Sequence, residues 1–397
     1  MLTLHRHLYN AALQQRIWAY RTRKISLSYA QQCPELTKLR AQEQEYQAIN
    51  AQSQQLTLKR LDEAFQRFFE CLRENPGKAG FPRFKSAKRF HSFGYKSYGD
   101  GWKFEHKKDF INGKLKLSGI GFIQASGRGR FQDKHRTTRN PGIPKTLQVM
   151  KKNDKWFASI TYETVKPYRQ AGEEIVAFDW GVSTFLTLVN EKKIVEQVAN
   201  PRTLKKSEAR LKKSQRFLSK KKKGSKNRLK AKRKVSQLHQ KIAHQRSDFL
   251  HQTSARIIGQ AKCLGSEQLS IKKMTASGGR FKAGLNQAIL DTAPGKFLSL
   301  LEYKAEEAGI PFILVNTRKI KPTQTCSGCG YQEKKSLSER IHDCKACGLT
   351  LDRDVNAALV IMNFLLNELK TGREPALGVE KGVSSLTKHE TPAIASA

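Results

Sequence analysis

No run of about 18 consecutive apolar residues occurs in the chain, and Met1 does not open the charged-then-apolar pattern of a signal peptide. A membrane-spanning helix is therefore excluded, and secretion is not expected. Acidic residues are scarce: 34 Asp and Glu stand against 74 Lys and Arg, a formal net charge of +40 over 397 residues. That charge calls for a polyanion. Nucleic acid is the commonest one, with an anionic membrane surface as the alternative. The seven cysteines do not make the dense framework of a small secreted domain and fit a reducing, cytoplasmic setting. Cys33, Cys71 and Cys263 are scattered and read as small buried apolar side chains. With 38% hydrophobic residues, the chain can still build two or three ordinary cores.

Over residues 1–75, apolar residues such as Leu8, Ile17, Leu61, Phe65, Phe68 and Leu72 recur mostly at steps of three and four. This predicts a helical segment, most simply two antiparallel helices joined near Cys33-Pro34. It is either mere core or, on the basic face of Arg21, Arg23, Lys24, Lys59, Arg60 and Arg67, a helical recognition segment. Residues 76–170 carry short runs (Leu115–Leu117, Gly121–Ile123, Lys145–Met150 and Trp156–Tyr162) between Gly, Asn and Asp turn signals, as a small β-barrel or curled sheet would. Gly80–Lys85 and Gly127–Arg136 mix aromatics with cations, so Arg83, Lys85, Arg128 and Arg130 are candidate nucleic-acid contacts, with a solvated loop as the alternative.

A third domain is expected over 171–370. Ile175–Phe178 has the unbroken apolarity of a strand buried on both faces, ends at Asp179-Trp-Gly181, and leads into a meander ending near Val198. Between Pro201 and Arg246, 19 Lys and Arg meet a single acid, Glu208, and Leu204, Leu211, Leu218, Leu229, Leu238 and Ile242 space them at helical intervals. A pure charge run would be a solvated or disordered tail. Threaded with periodic apolar residues, two basic helices broken at Lys220–Ser225 are expected to form a phosphate-tracking surface, with Lys206, Arg210, Lys213, Arg228, Lys232 and Arg246 as its candidate contacts. A strand at Glu267–Ile271, a helix at Ala293–Ala308, a strand at Ile310–Val315 and a last helix to Lys370 complete the domain. Residues 371–397 lose all periodicity and are expected to be disordered.

Two motifs carry chemistry. Cys326-x-x-Cys329 and Cys344-x-x-Cys347, each followed by glycine, have the spacing of a structural zinc ribbon over 320–350, with no coordination position left for substrate. His342 lies near them as a bystander. Directly behind stands Asp352-Arg-Asp354. Asp352 opens a helix whose stripe runs 354, 358, 361, 365, so it is the natural N-cap and Asp354 faces inward. An inward ionised carboxylate is costly unless it is paired or holds a metal. Asp179, Glu267 and Asp354 thus stand at the ends of core elements in the order strand-strand-strand-helix-strand-helix-strand-helix. Singly, each fits a cap or a salt bridge. Together they form the ribonuclease-H-like arrangement in which Mg²⁺ or Mn²⁺ clamps the oxygens of a phosphodiester displacement.

These motifs resemble the TnpB, or OrfB-type, proteins of bacterial insertion sequences, compact RNA-guided nucleases that are similar to RuvC-containing type V CRISPR effectors. The likeness covers nearly the whole chain and is carried by Gly80–Lys85, Phe178-Asp-Trp-Gly181, Gln245–His251, Glu267-Gln-Leu269, Gly284-Leu-Asn286, Thr325–Gly330 and Asp352–Ala358. It implies a RuvC-type triad of Asp179, Glu267 and Asp354, a guide RNA from the transposon end, target DNA as the second partner, and action at the bacterial nucleoid. It also implies a wedge-like domain over 76–170 and recognition of a short motif beside the target by the N-terminal part. Family members usually begin with a strand and some twenty residues ahead of the helix that starts here near His5, and this chain is expected to lack them. Relatives that act as RNA-guided DNA-binding regulators without cleavage, and transposases that join strands, are the alternative functions. A plain RNA-binding protein would leave Asp354 unexplained.

Overall fold

A computed structural model of the protein describes residues 1–75, 77, 79–108, 110–127, 142–163, 169–336, 339–371 and 393–395. The chain divides into two units, Met1–Val165 with Leu386–Ala397, and Lys166–Ser385.

The first unit opens with helices α1 (Leu2–Arg23), α2 (Tyr29–Gln42), α3 (Gln44–Gln47) and α4 (Ala51–Glu74). The expected join at Cys33-Pro34 is absent. Ser28 and Gln31 form a capping box that starts α2 upstream, so both residues fall inside the helix and Pro34 forfeits one early hydrogen bond. The helices share a core of Leu8, Leu13, Leu36, Leu58 and Leu61. Arg16, buried among them, donates to Gln32 at 2.8 Å and to Asp62 at 2.9 Å.

Strands β1 (Ser92–Tyr95), β2 (Trp102–His106), β3 (Gly113–Leu117), β4 (Gly121–Ala125), β5 (Ile143–Lys152) and β6 (Lys155–Glu163) follow. β1, β5 and β6 form one antiparallel sheet, extended by Ala393–Ala395 beside β6, while β2, β3 and β4 form a separate meander. Both sheets cover a core of Phe93, Tyr95, Trp102, Leu115 and Leu147. Neither closes into the expected barrel, because three or four strands are too few to wrap onto themselves. The basic loop expected at 127–136 falls almost wholly outside the described residues, with Arg128 and Arg130. So do residues 372–392 and 396–397 of the expected disordered tail.

The second unit is built on a five-stranded sheet. β7 (Glu174–Trp180), β8 (Thr184–Asn190) and β9 (Val195–Ala199) form an antiparallel meander. Then come α5 (Thr203–Ser219), α6 (Lys226–Gln260), β10 (Ala261–Glu267), α7 (Ile271–Met274), α8 (Arg280–Thr292), α9 (Pro294–Ala308), β11 (Phe312–Val315) and α10 (Thr317–Ile320). The short pair β12 (Ile341–Asp343) and β13 (Thr350–Asp352) leads directly into α11 (Arg353–Lys370). The sheet order is β11-β10-β7-β8-β9, with β10 parallel to both β7 and β11. The strand expected at Glu267–Ile271 lies earlier: the apolar run from Ala261 is itself the buried strand, and Glu267 closes it. α8 was not expected.

Alternation along β7 sorts its side chains by face. Val176, Phe178 and Trp180 join the core with Leu250 and Ile257 of α6 and Phe297 and Leu301 of α9. Ile175 and Ala177 pack on the opposite face with Ile361 and Leu365 of α11. α11 lies so close to the sheet that a Cβ at Gly265 would stand 2.1 Å from Leu365 Cδ1. Among the described residues, no helix is long and apolar enough to cross a membrane.

Candidate functional site

The same pleat brings two of the three acids to the α11 side. Asp179 is two residues beyond Ala177 on β7, and Glu267 is two beyond Gly265 on β10, so both point toward that helix. Parallel pairing sets Ser266 opposite Phe178, which makes Glu267 and Asp179 neighbours one step on, at the C-terminal ends of their strands. Open α/β sheets bind ligands at those ends. Asp354 enters from the facing wall. Asp352 caps α11, its Oδ1 accepting from Asp354 N–H at 2.9 Å and Val355 N–H at 3.2 Å, and this places Asp354 in the first helical turn. The chain leaves β7 through Gly181, where a Cβ would meet Thr184 O at 2.6 Å, so the turn tolerates only glycine there.

Asp179 is 6% exposed. Burial first, and then the charges of Glu267 and Asp354, push its carboxyl well above the usual range, with Arg353 and the Trp180 N–H opposing. Burial pushes Glu267 up to about 7. Arg353, which sequence reasoning passed over, holds its Nε 3.6 Å from Asp354 Oδ1 and donates from Nη1 to Glu339 O at 2.8 Å. Three mutually repelling carboxylates, one of them buried, are relieved by a divalent cation, and an all-oxygen donor set suits a hard one. Only the four cysteines, among the described residues, bring three or more metal-ligand atoms within 4.8 Å of one another. The carboxylates stand more widely spaced.

The cysteine cluster fits a tetrahedral ion. Cys326 and Cys347 Sγ are 3.7 Å apart, and Cys329 and Cys344 Sγ are 3.5 Å apart. Four thiolates at about 2.3 Å from a tetrahedral zinc would be about 3.8 Å from one another, far beyond the roughly 2 Å of a disulfide. Gly330 and Gly348 close the two turns at φ of 78° and 72° and return their N–H groups to Cys326 O and Cys344 O. His342 is buried outside the cluster, its Nδ1 3.1 Å from Lys335 Nζ.

The basic segment forms a hairpin of α5 and α6, and the second helix runs on to Gln260 rather than ending near Arg246. Lys206, Arg210, Lys213 and Lys232 are exposed on it. A groove of about 710 Å³ between the helices is lined by Arg210, Lys213, Phe217, Lys234, Leu238 and Lys241. Arg228 and Arg246 are occupied within the fold. Arg228 Nη1 donates to Leu218 O at 3.0 Å and Lys221 O at 2.8 Å, capping the end of α5. Arg246 pairs with Asp291 at 2.6 Å. Asp291, which no sequence signal singled out, also accepts from Thr203 Oγ1 at 3.1 Å and Leu204 N–H at 3.0 Å, so one carboxylate of α8 ties α5 and α6 together. In the first unit Arg83 is exposed, while Lys85 lies 5.7 Å over the Tyr9 ring and donates its N–H to Asn10 Oδ1 at 2.8 Å.

Residues 159–278, which include Asp179 and Glu267, match the OrfB family model described as "Probable transposase". Residues 295–361, with the four cysteines and Asp354, match a "Cas12f1-like, TNB domain". A "Putative RNA-guided DNA endonuclease" of Streptomyces pristinaespiralis is 30% identical over 365 residues, spanning 90% of this chain and 82% of that protein. The chain also shares its fold, at a TM-score of 0.54 and 14% identity, with Cas12f1 from a complex with single-guide RNA and target DNA, over 90% of this chain and 80% of that one. On the extent of the Streptomyces match and the OrfB motif match together, the chain belongs to the OrfB, or TnpB, family.

Proposed function

We propose that the protein is an RNA-guided DNA endonuclease with a RuvC-type, ribonuclease-H-like centre. Asp179, Glu267 and Asp354 hold catalytic Mg²⁺ or Mn²⁺, and Cys326, Cys329, Cys344 and Cys347 hold a structural zinc. One observation carries the reading: two carboxylates on adjacent strands and a third on the helix packed against that face of the sheet are brought together, in a unit whose α5–α6 hairpin is strongly basic. The Streptomyces relative, a "Putative RNA-guided DNA endonuclease", and the guide RNA and target DNA of the Cas12f1 complex support it.

Divalent cations, when bound, stabilise the attacking and leaving oxygens of an in-line phosphodiester displacement. The chain's own residues prepare that event. Asp179 and Glu267 are fixed by adjacent strands, and Asp354 by its capped helix, so the donors need little reorganisation. Arg353 restrains Asp354 from one side. Exposed Lys206, Arg210, Lys213 and Lys232 hold phosphates by charge, while base pairing with the guide supplies sequence specificity. Residues 1–75 and 76–170 serve as helical and wedge-like recognition parts, and 171–370 as the nuclease part.

The test uses ribonucleoprotein purified from cells carrying the flanking DNA, with its RNA sequenced. Mg²⁺-dependent cutting of a matching target is expected, and Asp179→Ala should lose it while retaining target binding, since the cations act on the transition state. RNA and target binding without cutting would make the protein a DNA-binding regulator. Strand-transfer products would make it a transposase.

A further inference from the structure

The cysteine knuckle and the carboxylates are joined by a side chain that serves neither as a ligand. Asn356 is completely buried, two residues after Asp354 on α11. Its Oδ1 accepts from Ser327 N–H at 2.9 Å, and its Nδ2 donates to Thr325 O at 2.8 Å. Asn363, seven residues on and hence on the same helical stripe, donates to Ser327 O at 2.8 Å. Together they grip the backbone on both sides of Cys326. The covalent route runs in parallel: the chain leaves Cys347 through β13 and reaches Asp352, the cap of α11.

Helical geometry separates Asp354 from Asn356 by about 200° around the axis. The first turn of α11 therefore meets the sheet with one side and the knuckle with nearly the opposite one. The apolar contacts of Ile361 and Leu365 set how closely α11 approaches the sheet but resist rotation weakly, because they have no direction. The two amide bonds of Asn356 are directional and fix that rotation.

We propose that Asn356 is a positioning residue: it locks the first turn of α11 to the cysteine knuckle, so that Asp354 stays aimed at Asp179 and Glu267, and cation affinity at the carboxylates depends on it. The inference rests on the carboxylate reading given above. Misplacement of a functional group by about 1 Å can cost about a hundredfold in rate, so a smaller displacement of Asp354 is expected to cost about tenfold.

The experiment uses the ribonucleoprotein with three readouts: zinc per chain, Mn²⁺ binding by electron paramagnetic resonance, and the Mg²⁺ concentration for half-maximal cutting. Asn356→Ala should keep its zinc and bind target normally. Its Mn²⁺ affinity should fall about tenfold, and half-maximal Mg²⁺ should rise in step. Asn363→Ala, which removes only the outer bond, should shift both by about threefold and decides the matter if the first variant does not fold. Unchanged Mn²⁺ affinity in folded, zinc-loaded Asn356→Ala, or in Asn363→Ala standing in for it, overturns the positioning role. Asp354→Ala is the control. If it still binds Mn²⁺ like the wild type, the carboxylate reading itself falls and takes this inference with it.

Discussion

Glu267→Gln should stabilise the protein at alkaline pH while destroying its activity. Burial carries the Glu267 carboxyl from its usual 4.5 to about 7. A folded-state value above the unfolded one means that Glu267 contributes stability below about pH 4.5, and that this contribution is lost as the pH rises through 7. At pH 8, without divalent cations, the wild type holds Glu267 ionised at a cost of about 3 kcal/mol, taking 1.36 kcal/mol for each tenfold. Glutamine escapes that cost, and it also spares Asp179 one of its two repelling neighbours. At about 2–4 °C per kcal/mol for a unit of this size, the variant should melt about 6–12 °C higher. Thermal unfolding followed by circular dichroism, in chelator at pH 5 and pH 8, measures it. The offset should be large at pH 8 and fall to about a quarter of that at pH 5, where the unfolded carboxyl is already mostly ionised. Mg²⁺ at pH 8 should then raise the wild type and leave the variant almost unmoved. An offset of equal size at both pH values, or none at pH 8, would refute the reasoning, because only a titrating group can open the gap across that window.

Three further outcomes follow from packing and charge. Gly265→Ala places a methyl against Leu365 and should cost about 1–3 kcal/mol in denaturant unfolding. Asp291→Ala strands Arg246 and frees the start of α5, so it should cost about 3 kcal/mol and raise hydrogen exchange in α5 before it affects the sheet. Arg210→Ala with Lys213→Ala should leave the melting temperature alone and lower the salt slope of nucleic-acid binding by about 1 per contact, read by titration at several salt concentrations.

What the sequence disclosed, and what it hid, divides along the range of the interactions. Asp352 was legible because a helix cap is a local event, settled within four residues, and the structure shows it accepting from Asp354 and Val355. The Cys-x-x-Cys turns were legible for the same reason. The β7–β9 meander announced itself through apolar runs, and the break between α5 and α6 through Lys220–Ser225. The helix join near Pro34 was misplaced because proline is the louder signal, while the Ser28 cap upstream is the one that governs. Barrel closure was misjudged because alternation reveals a strand and its inward face but not which strand it pairs with. Asp291, Arg353 and Asn356 were invisible: each acts across long stretches of chain or through backbone atoms, and no periodicity marks such partners.

The carboxylate of Asp291 also has a mechanical meaning. α6 spans 35 residues, a rod of about 50 Å, of which the half nearer Gln260 is sunk in the core and the half nearer Lys226 is not. A rod held in this way is a cantilever. A polyanion drawn to its free end applies a bending load that passes where α5, α6 and α8 meet, through a carboxylate accepting from three residues. The stiffness of the hairpin under load is therefore set at that joint, and loosening the joint turns a braced arm into a hinge.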